Sequence, residues 1–420
     1  MRPKTFFASE HDIDHSQIDA DALHVLRKLT EAGYTAYLVG GSVRDLLTKR
    51  SPKDYDISTS ARPEEIKALF KRSCILIGRR FRLAHIRYGH KIIEVATFRS
   101  GDNDSDLIIR DNTWGTEEED SIRRDFTING LFYDPSNHMV IDYVGGWDDI
   151  HKGILRTIGD PHIRFKQDPV RMIRLIKFRA RFGFEIDEET KQSLLENREE
   201  ITKSSPARIL EEILRMLESG ASAKFFHLMA QTGLLRLIFP TLATFLEGPS
   251  GQKVYGLLAI ADQMNRNSRK YPLSRPILTS CLLFPILEDE IKTKFIEKGK
   301  LPHLGEVMLT TSAIIKSIVA QSFTHFPRRI SATMVSIITT QYRLTPISGK
   351  RHYRHKLLQN KEFPLALKFL KIRAVADNQL LNAYNSWKNI YRQFLKQSGH
   401  NPHHHPPPPK KRKRPYVKTR

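Results

Sequence analysis

The sequence predicts an α+β protein that begins with a small mixed sheet and its helices, continues as all-α domains and ends in a disordered basic tail. Short apolar stretches of strand type occur up to about residue 144, whereas helical periodicity prevails from about residue 155. From residue 396 the chain is rich in histidine, proline and lysine and cannot form a core. These changes predict an N-terminal extension at 1–18, a head at 19–160, a helical neck at 161–240, a helical body at 241–395 and the tail at 396–420.

The whole chain is strongly basic. Its 420 residues include 68 Lys and Arg against 46 Asp and Glu, which gives a formal charge of +22. Residues 401–420 hold seven of the cations and no acid, so the 22 charges less these seven leave +15 on the rest of the chain. A basic surface of this extent indicates a polyanionic partner, nucleic acid before a membrane surface.

Cysteine usage and hydropathy bear on the compartment. Cys74 and Cys281 lie in apolar surroundings, which is typical of buried free thiols in a reducing compartment, and no Cys/His spacing suggests zinc. No apolar run reaches the ~18–20 residues that a membrane span needs, and the N-terminus lacks the apolar core of a signal peptide. We therefore expect a cytoplasmic protein with no membrane partner.

The stretch at residues 38–58 combines a strand, a glycine pair and a second, acidic strand. Gly40 and Gly41 follow the first strand and open a short helix that contains Ser42, Arg44 and Asp45. Asp54 and Asp56 are one residue apart in the second strand, so their carboxylates are expected on the same face. Each feature alone has an ordinary explanation, because a glycine pair usually forms a turn and such carboxylates are usually a solvated strand end.

Together these features indicate a site for phosphate and metal. Glycines allow a ligand to approach the backbone, free N–H groups at a helix start attract anions, and Arg44 adds a guanidinium for phosphate oxygens. Two neighbouring carboxylates repel unless a cation lies between them, and Mg²⁺ prefers oxygen ligands. No Walker-type phosphate loop is present in the sequence. The chemistry suggested is nucleotidyl transfer with two metal ions.

Glu94 is a carboxylate inside an apolar strand. Residues 83–88 and 92–98 are predicted to form a hairpin, and Glu94 lies between Ile93 and Val95 in its second strand. An unpaired buried charge is unfavourable, so Glu94 needs a partner. A salt bridge to an arginine at 79, 80 or 82 is one interpretation; a third metal ligand beside the two aspartates is the one that we favour.

Two further clusters follow. Residues 100–121 are acidic, without periodicity, and are predicted to form a mobile loop. Arg124 and Asp125 come next and would be a helix cap with a surface arginine, or else contacts for phosphate and ribose. In the segment at 164–186, Asp168 precedes a basic row whose spacing of three places it along one side of a helix, and this row is either a solvated face or a nucleotide-facing one. The row consists of Arg171, Arg174 and Lys177.

The segments quoted above resemble the class II branch of the polymerase-beta-like nucleotidyltransferases, which includes bacterial poly(A) polymerases and CCA-adding enzymes. The resemblance covers residues 20–240 well and extends more loosely to 395. Four ordered motifs carry it, and the segments around residues 78–99 and 113–126 resemble the poly(A) polymerases in particular. The motifs are LVGGSVRD with DYD, IIEVATFR, RRDFTING and DPVRMIR.

This resemblance implies a five-stranded nucleotidyltransferase head followed by helical domains, and a template-independent enzyme that adds AMP from ATP to RNA 3′ ends in RNA processing or decay. Asp54, Asp56 and Glu94 would bind Mg²⁺, with Mn²⁺ also acceptable, and Asp125 would join them as a catalytic residue. The implied nucleotide-binding residues are Gly40, Gly41, Ser42, Arg44, Arg124 and Asp125 for phosphate and ribose, and Asp168, Arg171 and Arg174 for the base.

The chain departs from the family pattern at three positions. Gln167 and Lys177 stand where the family has Glu and Arg, which puts one supporting contact and one phosphate-side contact in doubt. Gly130 stands where the family commonly has Ala, and we expect this change to affect local packing. The basic tail is expected to contact the RNA backbone; its cations are Lys410, Lys411, Arg412, Lys413 and Arg414. Protein partners from RNA decay are compatible with the sequence but are not indicated by it.

Base choice is only half determined by these residues. Asp168 as acceptor and Arg171 as donor match the edges of adenine and cytosine, whereas guanine and uracil present the reverse order and leave both groups unpaired, at about 1–3 kcal/mol each. Adenine and cytosine are not separated by this pattern. A CCA-adding tRNA nucleotidyltransferase is therefore an alternative, and a non-catalytic RNA-binding protein on the same fold is an alternative of another class.

Overall fold

The computed structural model describes residues 2–78, 83–100, 113–267, 272–320, 326–347 and 355–398. In these ranges a mixed sheet with surrounding helices precedes a wholly helical region, so the predicted α+β class is confirmed. The chain divides into two units, the first ending at Thr244 and the second beginning at Phe245. The predicted tail at 396–420 lies almost entirely outside the described residues.

The strands of the first unit form one large sheet and one small pair. The strands are β1 (Lys4–Phe6), β2 (Ala36–Val39), β3 (Asp56–Thr59), β4 (Cys74–Ile77), β5 (Leu83–Tyr88), β6 (Lys91–Thr97), β7 (Leu131–Asp134), β8 (Met139–Asp142), β9 (Ile154–Leu155) and β10 (Glu185–Ile186). The sheet has eight strands in the order β1-β8-β7-β2-β3-β6-β5-β4, and β9 pairs in parallel with β10. Within the large sheet β3 and β6 run parallel and the other neighbours antiparallel.

One expectation about this sheet needs correction. The family resemblance implied five strands, whereas the described residues give eight. Part of the predicted extension at residues 1–18 forms β1, which pairs with β8 at the edge of the sheet, and Phe6 stacks on Trp147 with ring centroids 4.0 Å apart. An added edge strand pairs backbone groups that would otherwise be left open at that edge.

The helices of the first unit lie between and after these strands. They are α1 (Ala20–Glu31), α2 (Gly41–Leu47), α3 (Pro63–Phe70), α4 (Glu117–Ile122), α5 (Gly146–Lys152), α6 (Pro161–Gln167), α7 (Val170–Phe182), α8 (Glu188–Asn197), α9 (Pro206–Leu217), α10 (Ser222–Gln231), α11 (Leu234–Ile238) and α12 (Pro240–Glu247), the last of which crosses the unit boundary. Asp19 caps α1 by accepting from the N–H of Asp21 at 2.9 Å, as its position predicts.

Helix α4 contradicts the loop predicted for residues 100–121. Thr116 accepts from the N–H of Glu119 at 3.3 Å while the Glu119 carboxylate accepts from the N–H of Thr116 at 2.7 Å. This reciprocal capping box starts a helix without any apolar periodicity. The rest of that predicted loop, residues 101–112, lies outside the described residues, as do the arginines considered as partners of Glu94.

The second unit is built from helices around its own apolar core. They are α13 (Gly251–Asn267), α14 (Arg275–Lys294), α15 (Leu304–Ile315), a π-helical turn at Lys316–Ala320, α16 (Arg328–Leu344), α17 (His355–Leu358), α18 (Phe363–Ala376) and α19 (Leu381–Gln397). Its buried cluster includes Phe363, Leu370 and Trp387. Pro285, a residue that usually ends or kinks a helix, lies inside α14, where it cannot donate to the carbonyl of Cys281. Among the described helices, none has both the length and the apolar character needed to cross a membrane.

Candidate active site

A cavity of about 630 Å³ opens in the first unit where β2 passes into α2, beside the start of β3, the segment after α4, and helices α7 and α9. Every predicted site residue of the described chain except Glu94 lines it. The predicted residues in its wall are Gly40, Gly41, Ser42, Arg44, Asp54, Asp56, Arg124, Asp125, Asp168, Arg171 and Arg174. Sequence reasoning missed other lining residues, among them Asn129, Arg208, Glu212 and Arg215.

The glycine pair forms a tight turn and also part of the cavity wall. Gly40 has φ +68°, a conformation that side chains disfavour, and a Cβ there would lie 3.1 Å from Nη1 of Arg124. Gly41 begins α2, and the Ser42 hydroxyl donates to the Val39 carbonyl at 3.0 Å. Gly40 therefore permits both the turn and the close approach of Arg124.

Arg44, expected to contact phosphate, is deeply engaged within the protein. Its Nε and Nη2 donate to Oδ1 of Asp45 at 3.0 and 2.7 Å, and Nη1 donates to Asn129 at 2.5 Å. The guanidinium also lies over Phe178 and Phe182, 5.0 and 4.6 Å from the ring centroids. Burial lowers the pKa of Arg44, and Asp45 opposes this shift. The side chain thus holds the wall in place as well as presenting positive charge to the cavity.

The three predicted metal ligands lie on or next to one pair of strands. Asp56 on β3 is the register partner of Glu94 on β6, and Asp54 precedes Asp56 by two residues. Glu94 is half exposed rather than buried as its place in the strand suggested, and its Oε1 lies 3.5 Å from Nε2 of His85. Desolvation of the carboxylate, and then the negative charges of Glu94 and Asp54, raise the pKa of Asp56 to about 6. The positive charge of Arg124 opposes this shift. Negative charge therefore accumulates at this point.

The donor set fits a hard divalent cation that is shared with a substrate. All three side chains offer only oxygen, and the pKa of Asp56 is raised even though the positive charge of Arg124 opposes that shift. In the part of the chain that the structure describes, no three His, Cys, Asp or Glu side chains form a ready-made metal cluster. Mg²⁺ is commonly bound by one or two carboxylates plus substrate phosphates and water, so a complete protein cage is not required.

Asp120 anchors the two arginines that precede Asp125, and sequence reasoning missed it. It is fully buried and accepts from Nη2 of Arg123 at 2.6 Å and Nη2 of Arg124 at 2.7 Å. Burial by itself raises the pKa of Asp120, but the charges of the two arginines outweigh it and lower that pKa. Asp120 lies three and four residues before Arg123 and Arg124, and this spacing is the pattern in the sequence that could have indicated the two ion pairs. Nε of Arg124 is buried and has no partner within the described residues.

Asp125 and Arg174 form a buried ion pair. Arg174 Nε donates to Oδ2 of Asp125 at 2.7 Å. Oδ1 of Asp125 accepts from the backbone N–H of Phe126 at 2.9 Å and from the side-chain amide of Asn129 at 3.0 Å. Burial alone raises the pKa of Asp125, but the charge of Arg174 and the bond from Asn129 hold it well below its usual range. Both residues line the cavity, so this pair joins α7 to the segment that follows α4.

Asp168 presents an unused acceptor to the site. Its Oδ2 accepts from Nη2 of Arg208 at 2.8 Å, whereas its Oδ1 is buried without a hydrogen-bond partner among the described residues. Nearby, the Arg171 guanidinium is fixed by bonds of 3.2 Å to the carbonyls of Arg123 and Arg124. An unbonded buried carboxylate oxygen is unfavourable unless a ligand supplies a donor.

Lys177, one of the departures from the family pattern, has an internal partner. It pairs with Glu212, which also accepts from Nη1 of Arg174 at 3.4 Å. Burial and then the charge of Arg174 lower the pKa of Lys177 to about 8, against the opposing charge of Glu212. Lys177 does not line the cavity, whereas Arg171 and Arg174 do.

Gly130 is closely packed, and we expect Gly130→Ala to reduce the free energy of unfolding by about 1–3 kcal/mol. A Cβ at this position would lie 2.6 Å from Cγ2 of Val144 and 3.2 Å from Cδ1 of Ile158. Urea unfolding followed by circular dichroism measures the change. Gly256→Ala on α13 is the matched control, since a Cβ there meets nothing within 4 Å, and an equal effect of both substitutions would contradict the packing argument.

Most of this chain matches models of known protein families. The family models "Poly A polymerase head domain", "Probable RNA and SrmB- binding site of polymerase A" and "Polymerase A arginine-rich C-terminus" match residues 36–156, 183–246 and 307–420. The poly(A) polymerase I of Salmonella typhi is 34% identical over 384 residues, 88% of this chain and 81% of that protein. That of Escherichia coli O157:H7 is 35% identical over 396 residues, 90% and 83%.

Other relatives match less of the sequence but share the fold. The CCA-adding enzyme of Lactobacillus helveticus is 40% identical over 215 residues, 51% of this chain and 53% of that enzyme. A tRNA nucleotidyltransferase crystallised with a primer tRNA and an incoming ATP analog has a TM-score of 0.58 at 20% identity, over 89% of this chain and 99% of that one. The long matches to the poly(A) polymerases show that this chain belongs to the bacterial poly(A) polymerase family of RNA nucleotidyltransferases.

Proposed function

We propose that the protein is a poly(A) polymerase that adds AMP from ATP to RNA 3′ ends without a template and releases pyrophosphate. The observation that supports this most is the pairing of Asp56 with Glu94 on adjacent parallel strands, next to a cavity with many arginines. Concentrated carboxylate charge beside concentrated guanidinium charge suits a reaction in which metal ions and phosphates must be held together.

The chain's own residues divide this task. Asp54, Asp56 and Glu94 would hold Mg²⁺, or Mn²⁺, and the bound ions would lower the pKa of the attacking 3′-hydroxyl and stabilise charge on the leaving phosphates. The backbone at Gly40 and Gly41 and the guanidinium of Arg124 are placed to bind the triphosphate. The predicted roles of Ser42, Arg44 and Asp125 toward phosphate and ribose remain part of this proposal, although their hydrogen bonds in the structure are internal.

Base selection would rest on Asp168 and Arg171. The free Oδ1 of Asp168 can accept from the exocyclic amine of adenine, and Arg171 can donate to the adjacent ring nitrogen. Arg174 would act through its ion pair with Asp125. This pair of groups accepts adenine or cytosine, and the choice of ATP is supported by relatives named poly(A) polymerase I that match 87–90% of the chain.

A CCA-adding activity is the second candidate, because the 215-residue match to Lactobacillus helveticus has the higher identity, 40%. The test is primer extension with purified protein and Mg²⁺, in which each of the four nucleoside triphosphates is offered singly to oligo(A) and to a tRNA that lacks its 3′ end. We expect long tails with ATP alone on oligo(A). Addition that stops after two C and one A, on the tRNA only, would overturn the proposal in favour of the second candidate.

The remaining predictions complete this proposal. The neck and body would bind RNA, and the tail cations Lys410 to Arg414 would contact its phosphates. The five domain limits and the cytoplasmic location stay predictions from sequence. A role in RNA processing or decay, with or without protein partners, is consistent with the proposed reaction.

A further inference from the structure

A second cavity, of about 740 Å³, lies within the helical second unit between α13, α14, α16 and α18. Its volume is in the range of small-molecule sites, and most of its wall is apolar. The apolar wall residues include Leu257, Phe284, Pro285, Ile291, Ile347 and Leu380. Pro285 contributes a ring and no N–H at a point inside a helix, so this part of the wall offers no backbone donor.

The floor of this cavity is held by Arg373. Its guanidinium lies 4.2 Å from the centroid of Phe284 and donates to Gln341 at 3.3 Å and Thr345 at 3.2 Å. A further N–H donates to Oε1 of Glu288 at 3.4 Å. Four contacts to one planar group fix its orientation, and through it they fix the carboxylate of Glu288.

Two polar groups of the wall remain available. Oε2 of Glu288 and the hydroxyl of Tyr342 both belong to residues of the wall, and neither has a hydrogen-bond partner in the described ranges. Burial raises the pKa of Glu288, against the opposing charge of Arg373, and burial also raises the pKa of Tyr342. A ligand with one N–H and one acceptor could therefore bond to both groups.

The charged side chains at the rim carry no net positive charge, since two lysines face three acids. Lys253 lies 4.0 Å from Asp289, and Lys292 lies 3.8 Å from Glu297, all of them substantially exposed. Asp377 is a further rim acid, whose side chain accepts from a backbone N–H at 3.0 Å. A rim without net positive charge gives little attraction to a free anion. The cavity therefore suits an uncharged planar group better than a phosphate.

We propose that this cavity binds one unstacked adenine base. Its N6 amine would donate to Oε2 of Glu288, and its N1 would accept from the Tyr342 hydroxyl. The ring would pack against the apolar wall, as bases do on aromatic and guanidinium surfaces in single-strand binding. The choice of adenine rests on the proposed function, since an enzyme that makes poly(A) always holds adenosine-rich RNA, and on the larger apolar face of a purine.

The test is binding of labelled oligo(A) and of oligo(U) of equal length to the full chain, measured by fluorescence anisotropy without ATP or metal. Because no catalysis is measured, failure here is distinguishable from failure of the proposed function. We expect Tyr342→Phe and Glu288→Leu, each of which removes one of the two bonding groups, to weaken oligo(A) binding about fivefold to tenfold, the size of one lost hydrogen bond, with little change for oligo(U). Tyr384→Phe removes a hydroxyl from a tyrosine outside this cavity and is the matched control.

Calorimetric titration with AMP shows whether the ligand of the cavity is a free adenine nucleotide or an adenine base of an RNA strand. A lower stoichiometry for AMP in Tyr342→Phe assigns the cavity to a free nucleotide, whereas unchanged AMP binding with weakened oligo(A) binding assigns it to a base of the RNA strand. Either result supports an adenine site. Unchanged oligo(A) binding in both variants, an equal loss for oligo(U), or an equal loss in Tyr384→Phe overturns it.

Discussion

Replacing Asp56 by asparagine is expected to lower the rate of nucleotide addition by about 10³-fold or more, because loss of a metal-binding carboxylate removes several kcal/mol of transition-state stabilisation. Asp56 is the member of the carboxylate group with the raised pKa, and it lies directly across from Glu94. Asp54→Ala is expected to act in the same direction. The measurement is single-turnover addition of AMP to oligo(A), with circular dichroism to follow folding.

Folding should be preserved in this variant, since Asp56 is exposed and the substitution also removes a repulsion with Glu94. Asp148→Asn is a matched control in the same unit, because Asp148 is exposed and its ionic partner among the residues that the structure describes is the exposed Lys4, at 3.4 Å. Near-normal activity of Asp56→Asn, or an equal loss in Asp148→Asn, would remove Asp56 from the active site.

Arg174→Met is expected to reduce the free energy of unfolding by about 3–5 kcal/mol, because it leaves the buried charge of Asp125 without its main partner. The two side chains are joined at 2.6 Å by Nη2 and at 2.7 Å by Nε. Urea unfolding at neutral pH measures the change. Arg179→Met on the same helix is the control, since its ionic partner Glu185 is largely exposed.

The pH dependence of this effect has a definite sign. The pKa of Asp125 lies below its ordinary value of 3.8, so its ionised form is the one that folding favours. Its contribution to stability is therefore fully present above about pH 4–5 and is lost as the pH falls further. We expect the difference between the parent chain and Arg174→Met to shrink in acid. A difference that is constant down to the acid transition would contradict the ion-pair explanation.

Short-range patterns predicted much of the fold and most members of the site. The expectation that one strand holds both Asp54 and Asp56 was wrong, since β3 begins at Asp56 and Asp54 lies before it, although both residues line the cavity. The helical row did bring Arg171 and Arg174 on α7 into the cavity wall, because local spacing decides which side chains share a face of a helix. Glu212 and Arg208 were not predicted, because they act through contacts that depend on how separate elements pack. Asp120 was missed although its arginine partners lie only three and four residues further along the chain.

Local patterns also failed where one hydrogen-bonding motif or one tertiary contact outweighed composition. The acidic run before Arg123 resembles a loop, yet the capping box at Thr116 makes it a helix. Pro285 has the usual mark of a helix break but lies inside α14, within a buried stretch of that helix. The engagement of Arg44 with Asn129 joins residues 85 apart in the chain, and no sequence spacing indicates it.

The cavity of the first unit is assembled from residues as far apart as Gly40 and Arg215. During synthesis, therefore, a ribosome must extrude about half of the chain before the last wall of that cavity exists. The strands that carry Asp56 and Glu94 emerge much earlier than α9, which carries both Arg208 and Arg215. A nascent chain that ends before α9 has the carboxylates but not the complete cavity, so we expect no nucleotide addition until α9 has been synthesised.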